Sequence, residues 1–401
     1  MTVLPSSLAP LREAGFRRLV TGTAISRFGN GLAGVALAFA VLDLTGSIAL
    51  LGLVVAARSI TNVALLLVGG VLADRLPRGL LLSGSSVLSG AAQLGAAAIV
   101  AARLDLVWLL ALLAALNGAA SAVSQPLASA LVPQTLPAPL LQQGNALARM
   151  SGNLTSLLGT AIAGLVVAFA GSAVAVAVDG VTFLLAAIAW AGLRAPAPDR
   201  EQASSFVQDL VEGWHAFRTR RWLWTVVSAF TISNCCYACA VLVLGPVYAD
   251  ATIGRPAWGL VQAALPAGLV LGGLVALRLH PRRPLVVGML CTVPFPLLAL
   301  ALGVAPVAAV LVVVFLLAGV GAEVFEVLWQ TTMQHRVPAE LLARVSSYDL
   351  LGSFIAIPVG QLLAAPVSAA LGVRPSLILA GAVGGAVLLA CLLVREVRAP
   401  A

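Results

Sequence analysis

Apolar residues in this chain come in long unbroken runs, and short charged or Pro/Gly-rich stretches separate them. A helix needs roughly 20 apolar residues to cross the hydrocarbon core of a bilayer. Twelve runs reach that length, near 19–42, 48–73, 80–102, 107–130, 144–168, 173–193, 222–247, 256–279, 284–303, 306–330, 345–368 and 374–394. A backbone in lipid must satisfy its own hydrogen bonds, so each run is expected to be a helix. The alternating pattern of a membrane barrel is absent. The first run has no small-residue cleavage site and reads as a retained span.

The longest polar stretch, 194–221, sits at the centre and divides the spans six and six. Its first part, from Arg194, is a Pro-containing linker. Its second part sets Phe206, Val207, Leu210, Val211, Trp214 and Phe217 at helical spacing. That pattern predicts an amphipathic helix on the cytosolic leaflet, or else a solvated linker helix. The expected organisation is therefore a six-helix bundle over 1–193, a cytosolic linker over 194–221 and a second six-helix bundle over 222–401. Short patterns also recur between the halves. Gly69-Gly70 returns as Gly272-Gly273, Gln125 with Val132-Pro133 as Gln330 with Val337-Pro338, and Leu140-Leu141 with Gly159 as Leu341-Leu342 with Gly360. Repeated bundles of this kind are a transporter architecture, because two similar bundles can rock about a site near the midplane.

Composition agrees with a lipid-solvated chain. Of 401 residues, 61% are hydrophobic and 9% charged, against about 25% charged in a soluble domain. The net charge of +8 comes entirely from arginine and marks loops on one side of a membrane, not a nucleic-acid surface. Only Arg103, Arg255 and Arg374 fall on the opposite side of the predicted topology. Both termini are therefore expected in the cytosol. Cys235 and Cys239 share a helix face, yet no His or acid accompanies them, so packing is the expected role. His215, His280 and His335 lie far apart, no paired-aspartate cluster occurs and no phosphate-binding loop is present. An enzyme and an ATP-driven pump are both disfavoured, and no cofactor is expected.

An ionised side chain inside the bilayer costs roughly 2.5–3.5 kcal/mol on insertion scales and is a functional candidate by default. The first half offers Arg27, Arg58, Arg149 and Asp179, with Asn30 and Asn62 on the faces of Arg27 and Arg58. Asp179 reads either as a proton site or as a packing partner for Arg27. The second half offers Glu323, Glu326 and Asp349, with Glu323, Glu326 and Gln330 on one face. Arg149, Glu326 and Asp349 lie near the cytosolic boundary, where snorkelling or a gate-level salt bridge is the plainer role. Asn234, Tyr237, Phe325 and Trp329 are candidates to contact a substrate, although lipid-facing placement is the plainer reading. A mostly apolar cleft with a few arginines fits amphipathic, anionic compounds.

The loop after the second span reads Gly70-Val-Leu-Ala-Asp74-Arg75-Leu-Pro77-Arg78. It resembles the signature loop of the major facilitator superfamily, G-x-x-x-D-R-x-G-R-R. Gly70, Asp74, Arg75 and Arg78 match, Pro77 replaces a Gly and Gly79 a basic residue. Phe16-Arg17-Arg18-Leu19, the two Val-Pro loops, Asp209-Leu-Val-Glu-Gly-Trp214 and Arg220-Arg221-Trp222 are similar to a bacterial branch of siderophore and macrolide-type exporters. The resemblance covers essentially the whole chain. It implies a monomeric multi-pass protein of the bacterial plasma membrane that exports a small hydrophobic or amphipathic compound against a proton gradient. It also implies a structural and gating role for Asp74. Gly159-Thr160-Ala-Ile-Ala163-Gly164 lacks the proline of the antiporters' Gly-Pro-x-x-Gly-Gly pattern. Uptake and a non-transporting receptor or scaffold are the alternatives left open. In an otherwise cysteine-free protein, cysteines placed at Arg78 and Arg282 should both react with an impermeant reagent from the cytosolic face alone; labelling from opposite faces would refute the topology.

Overall fold

A chain this apolar has no water to satisfy its backbone, and the fold follows from that. The computed structural model describes residues 6–75, 77–193, 206–279 and 281–398, apart from some side chains, among them those of 66–75 and 206–211. Twelve helices are long and apolar enough to cross a membrane, and no strand occurs among the described residues. Large apolar side chains point outward, with Phe169 85% and Trp108 76% exposed. In water such a surface would aggregate; in lipid it is the solvated face.

The chain forms two compact units, Met1–Asp199 and Arg200–Ala401. The first holds α1 (Ala14–Thr45), α2 (Ile48–Arg75), α3 (Arg78–Ala101), α4 (Val107–Thr135), α5 (Leu141–Ala170) and α6 (Ser172–Trp190). Its principal packing pairs are α1 with α5 and with α6, α2 with α4, and α3 with α6. In the second unit, α7 (Phe206–Thr219) precedes span seven, which comprises α8 (Arg221–Tyr237), a π-helical segment over Ala238–Leu244 and α9 (Gly245–Thr252). Span eight is α10 (Arg255–Ala276), and span nine is split into α11 (Pro284–Cys291) and α12 (Pro294–Val304). Span ten is α13 (Ala308–Arg336), and span eleven is split into α14 (Ala339–Phe354) and α15 (Ile357–Leu371). The chain ends with α16 (Val373–Cys391) and the short α17 (Arg395–Arg398).

The pairing of the first unit recurs here: span seven with α15, α10 with α13, α12 with α16. Without water to drive apolar faces together, membrane helices associate by close packing, and small residues permit it. A Cβ on Gly159 would overlap the Phe28 carbonyl of α1, and one on Gly360 would overlap the Cys235 carbonyl of α8. The repeated glycine thus makes the same close approach in both units.

The units differ in the continuity of their odd-numbered spans. α1, α3 and α5 are unbroken and contain no proline. Spans seven, nine and eleven are each interrupted, and each carries a proline at the break: Pro246, Pro294 and Pro358. Proline has no N–H to continue the helical ladder. At the split in span nine the ladder tightens to a short-range bond from Val293 N–H to the Leu290 carbonyl, 3.2 Å.

The linker helix differs from expectation. Its residues Ala216 and Phe217 are buried within the core of the second unit. Trp214 rests on Tyr348 of α14 at 5.6 Å between ring centroids, and Glu212 pairs with Arg344. Part of the face assigned from sequence to the lipid surface therefore packs on protein. Residues 194–205 lie outside the described residues. At the other end of the unit's chain, Glu396 accepts a hydrogen bond of 2.9 Å from the Trp222 backbone N–H. That carboxylate caps the start of α8, where free N–H groups and the helix dipole favour negative charge.

Gly159→Leu and Gly360→Leu should each destabilise the detergent-solubilised protein by at least the roughly 1–3 kcal/mol of an overpacked core, because the opposing atoms are backbone. A Cβ on Gly34 meets no atom within 4 Å, so Gly34→Leu should cost far less stability than either. Equal stability of all three proteins would contradict the close approach.

Candidate functional site

In the second unit, α8, the break of span nine, α13 and α14 surround a cavity of about 210 Å³. α13 contributes Ala322, Phe325, Glu326, Trp329 and Gln330. Steps of three and four residues put these on one helical face. Val226, Phe230 and Asn234 come from α8, Thr292 and Phe295 from the broken span, and Asp349, Ser353 and Phe354 from α14. The cavity is smaller than the roughly 300–1,000 Å³ of a drug-sized pocket. It has room for a ring or a head group.

An aromatic wall forms one side. Phe230 stacks on Phe325 at 4.6 Å between centroids, Phe325 on Trp329 at 5.8 Å, and Trp222 meets Trp329 edge-on at 5.4 Å. Arg336 lies over the Trp222 ring at 5.6 Å, within the range of a cation–π contact. The polar groups are held from within the same unit. Trp329 Nε1–H donates to Asp349 Oδ2 at 2.9 Å, Gln330 donates to Glu326 Oε1 at 3.0 Å, and Asn234 donates to the Ser353 carbonyl at 2.9 Å. Asp349 is only 7% exposed.

Of the candidates in this half, the cavity brings together Asn234, Phe325, Glu326, Trp329 and Asp349. Phe325 and Trp329 are buried and do not face lipid. Tyr237 stacks on Phe295 at 4.9 Å and lines a separate, much smaller hollow. Glu323 is not among the residues that line the cavity. It lies at the edge of their arc and packs against Gly272 and Gly273 of α10. Phe230 and Phe295 were not anticipated, because apolar residues within a span carry no sign of which side they face.

In the first unit the centre is Asp179 of α6, which has no exposed surface. Gln93 of α3 donates to its Oδ2, and Thr182 Oγ1 donates to its backbone carbonyl at 2.7 Å. Asp179 Oδ1 has no hydrogen-bond partner among the described residues and lies against Gly29 of α1. Arg27 is not its partner; that side chain runs along Gly152 of α5. Arg58 of α2 donates from Nη2 to Asn30 Oδ1 at 3.1 Å. Asn62 donates to the Gly118 carbonyl at 3.3 Å, which ties α2 to α4. Arg149 is exposed. Sequence reasoning missed Gln93 and the buried Asn117, neutral residues that no charge criterion selects. In the signature loop, α2 runs to Arg75 and α3 begins at Arg78; the side chains of Asp74 and Arg75 lie outside the described residues.

Comparison with known proteins agrees with this fold. The sequence pattern of the Major Facilitator Superfamily matches residues 19–360. Macrolide efflux protein A of Streptococcus pyogenes is 22% identical over 395 residues, covering 96% of each chain. The crystal structure of the nucleoside transporter NupG superposes with a TM-score of 0.74 at 12% identity, covering 94% of this chain and 98% of that one. A bacterial homolog of the human lysosomal transporter Spinster, inward-facing and unoccupied, gives 0.76 at 14% identity, covering 97% and 99%. At such identities the likeness to these structures shows the fold alone.

Trp329→Phe keeps the ring and removes the donor to Asp349. Loss of a hydrogen bond to a charged group costs roughly 1.5–3 kcal/mol, so the variant should unfold at a lower temperature in detergent. An unchanged transition would mean that the bond contributes nothing.

Proposed function

The chain belongs to the Major Facilitator Superfamily, and on that premise we propose that it exports a small amphipathic compound across the bacterial plasma membrane by proton-coupled alternating access. It is a multi-pass membrane transporter and not an enzyme. The single observation that carries the reading is the cavity of the second unit, where an aromatic wall stands beside two carboxylates, the buried Asp349 and the exposed Glu326. Flat apolar groups gain from contact with Phe230, Phe325 and Trp329. Glu326 and Asp349 set the sign of the charge that the site accepts. No basic residue is among the described lining. The site therefore favours a compound with a positively charged nitrogen over the anionic one that the arginines suggest. Because the cavity holds only part of a drug-sized molecule, it seats the charged, ring-bearing end. The relative named for macrolide efflux supports export. The protein works as a monomer with both termini in the cytosol.

The test is uptake of a fluorescent aromatic amine into inside-out vesicles energised by a proton gradient. Accumulation that an uncoupler abolishes is expected. Glu326→Gln should lower it at least tenfold for the amine and less for a neutral analogue of similar shape. Accumulation only in right-side-out vesicles would establish uptake, and binding without movement would establish a receptor.

A further inference from the structure

We propose that Asp179 of the first unit carries the coupling proton and that the described conformation of that unit holds it protonated. The proposal rests on the proton-coupled reading above and identifies its residue.

The argument starts from the surroundings of the carboxyl group. A buried carboxylate is stable only when several donors or a paired cation replace its lost water. Asp179 receives one side-chain donor, Gln93, on one oxygen. Its other oxygen faces Gly29 and has no partner among the described residues. That environment suits a carboxylic acid whose proton sits on the unpaired side.

The helices packed on α6 are α1, α3 and α5, and their charged groups lie elsewhere. On α1, Arg17 donates to the Leu11 carbonyl at 3.3 Å, Arg18 lies against Gly192, and Arg27 runs along Gly152. Asp43 accepts from Ser172 at 3.0 Å, two turns from Asp179 at the start of α6. Arg78 begins α3, fifteen residues before Gln93, and Arg149 of α5 is exposed. From α2, Arg58 Nη2 donates to neutral Asn30 at 3.1 Å and makes no hydrogen bond to Asp179. In the proposed cycle that guanidinium has two alternative acceptors. It rests on Asn30 while Asp179 is protonated and turns to Asp179 when the proton leaves. The proton is taken from water at one face and returned at the other. Full burial of Asp179 between those events prevents leakage of protons without cargo.

Asp179→Asn reconstituted in liposomes should retain ligand exchange within about twofold of wild type and lose accumulation driven by a proton gradient. Gradient-driven accumulation by Asp179→Asn at the wild-type level would overturn the proposal. A wild-type protein that ignores the gradient would instead sink the proton-coupled reading, and the two failures are thereby distinct. If Asp179→Asn does not fold, Gln93→Leu decides. Removing the donor withdraws support from the ionised form, so the pH profile of transport should shift to higher pH. A purely structural role for Gln93 would lower the amount of folded protein and leave that profile in place, which would also overturn the proposal.

Discussion

The absence of water from the bilayer core governs this structure at every level. A polar atom that leaves water must find its partner in the protein or remain unsatisfied at a cost of several kcal/mol. The backbone meets this demand by forming helices. The helices then approach closely where glycine leaves room, as at Gly159 on Phe28 and Gly360 on Cys235. The same demand explains the polar side chains. Asp349 is held by the Trp329 indole, Asn234 reaches a carbonyl of α14, and Arg58 reaches Asn30. Asp179 meets the demand on one carboxylate oxygen only, and the buried amides of Asn117 and Gln361 likewise keep atoms without a partner among the described residues.

The two units answer the constraint differently. The first keeps its odd-numbered spans as unbroken helices and concentrates its polarity in a closed centre around Asp179 and Gln93. The second interrupts spans seven, nine and eleven at prolines and forms a cavity among them. Non-helical backbone at membrane depth is tolerated where it is buried in protein or lines a cavity. Thr292 and Phe354, at or beside two of the breaks, line that cavity. A bundle with breaks around a site can change shape at defined points, whereas continuous helices move as rods. The ligand site proposed for the second unit and the proton site proposed for the first suit this difference.

The linker helix links to the same theme. It grips α14 through Glu212–Arg344 and the Trp214, Phe217 and Tyr348 rings. α14 carries Asp349 and Ser353 into the cavity before it ends at the Ile355–Ala356 break. A helix that looks from sequence like a membrane-surface element is thus fastened to the segment that carries half of the cavity's acids.

Much of the architecture was already legible in the sequence. Hydrophobic run length alone determined twelve spans, because lipid thickness is a fixed yardstick, and the repeated glycine and Val-Pro patterns determined the six-plus-six division. The prolines at 246, 294 and 358 were visible too, but run length counts a broken span and a whole one alike. What only the tertiary structure decided is direction around each helix. Nearly every residue of a span is apolar, so periodicity cannot tell a lipid face from a cavity face. It therefore took packing to place Glu326 in the cavity and Glu323 against Gly272, to turn Phe325 and Trp329 inward, and to give Asp179 a neutral partner, Gln93, in place of Arg27. Length is a property of the chain itself; which side of a helix meets a neighbour exists only once the neighbour is there.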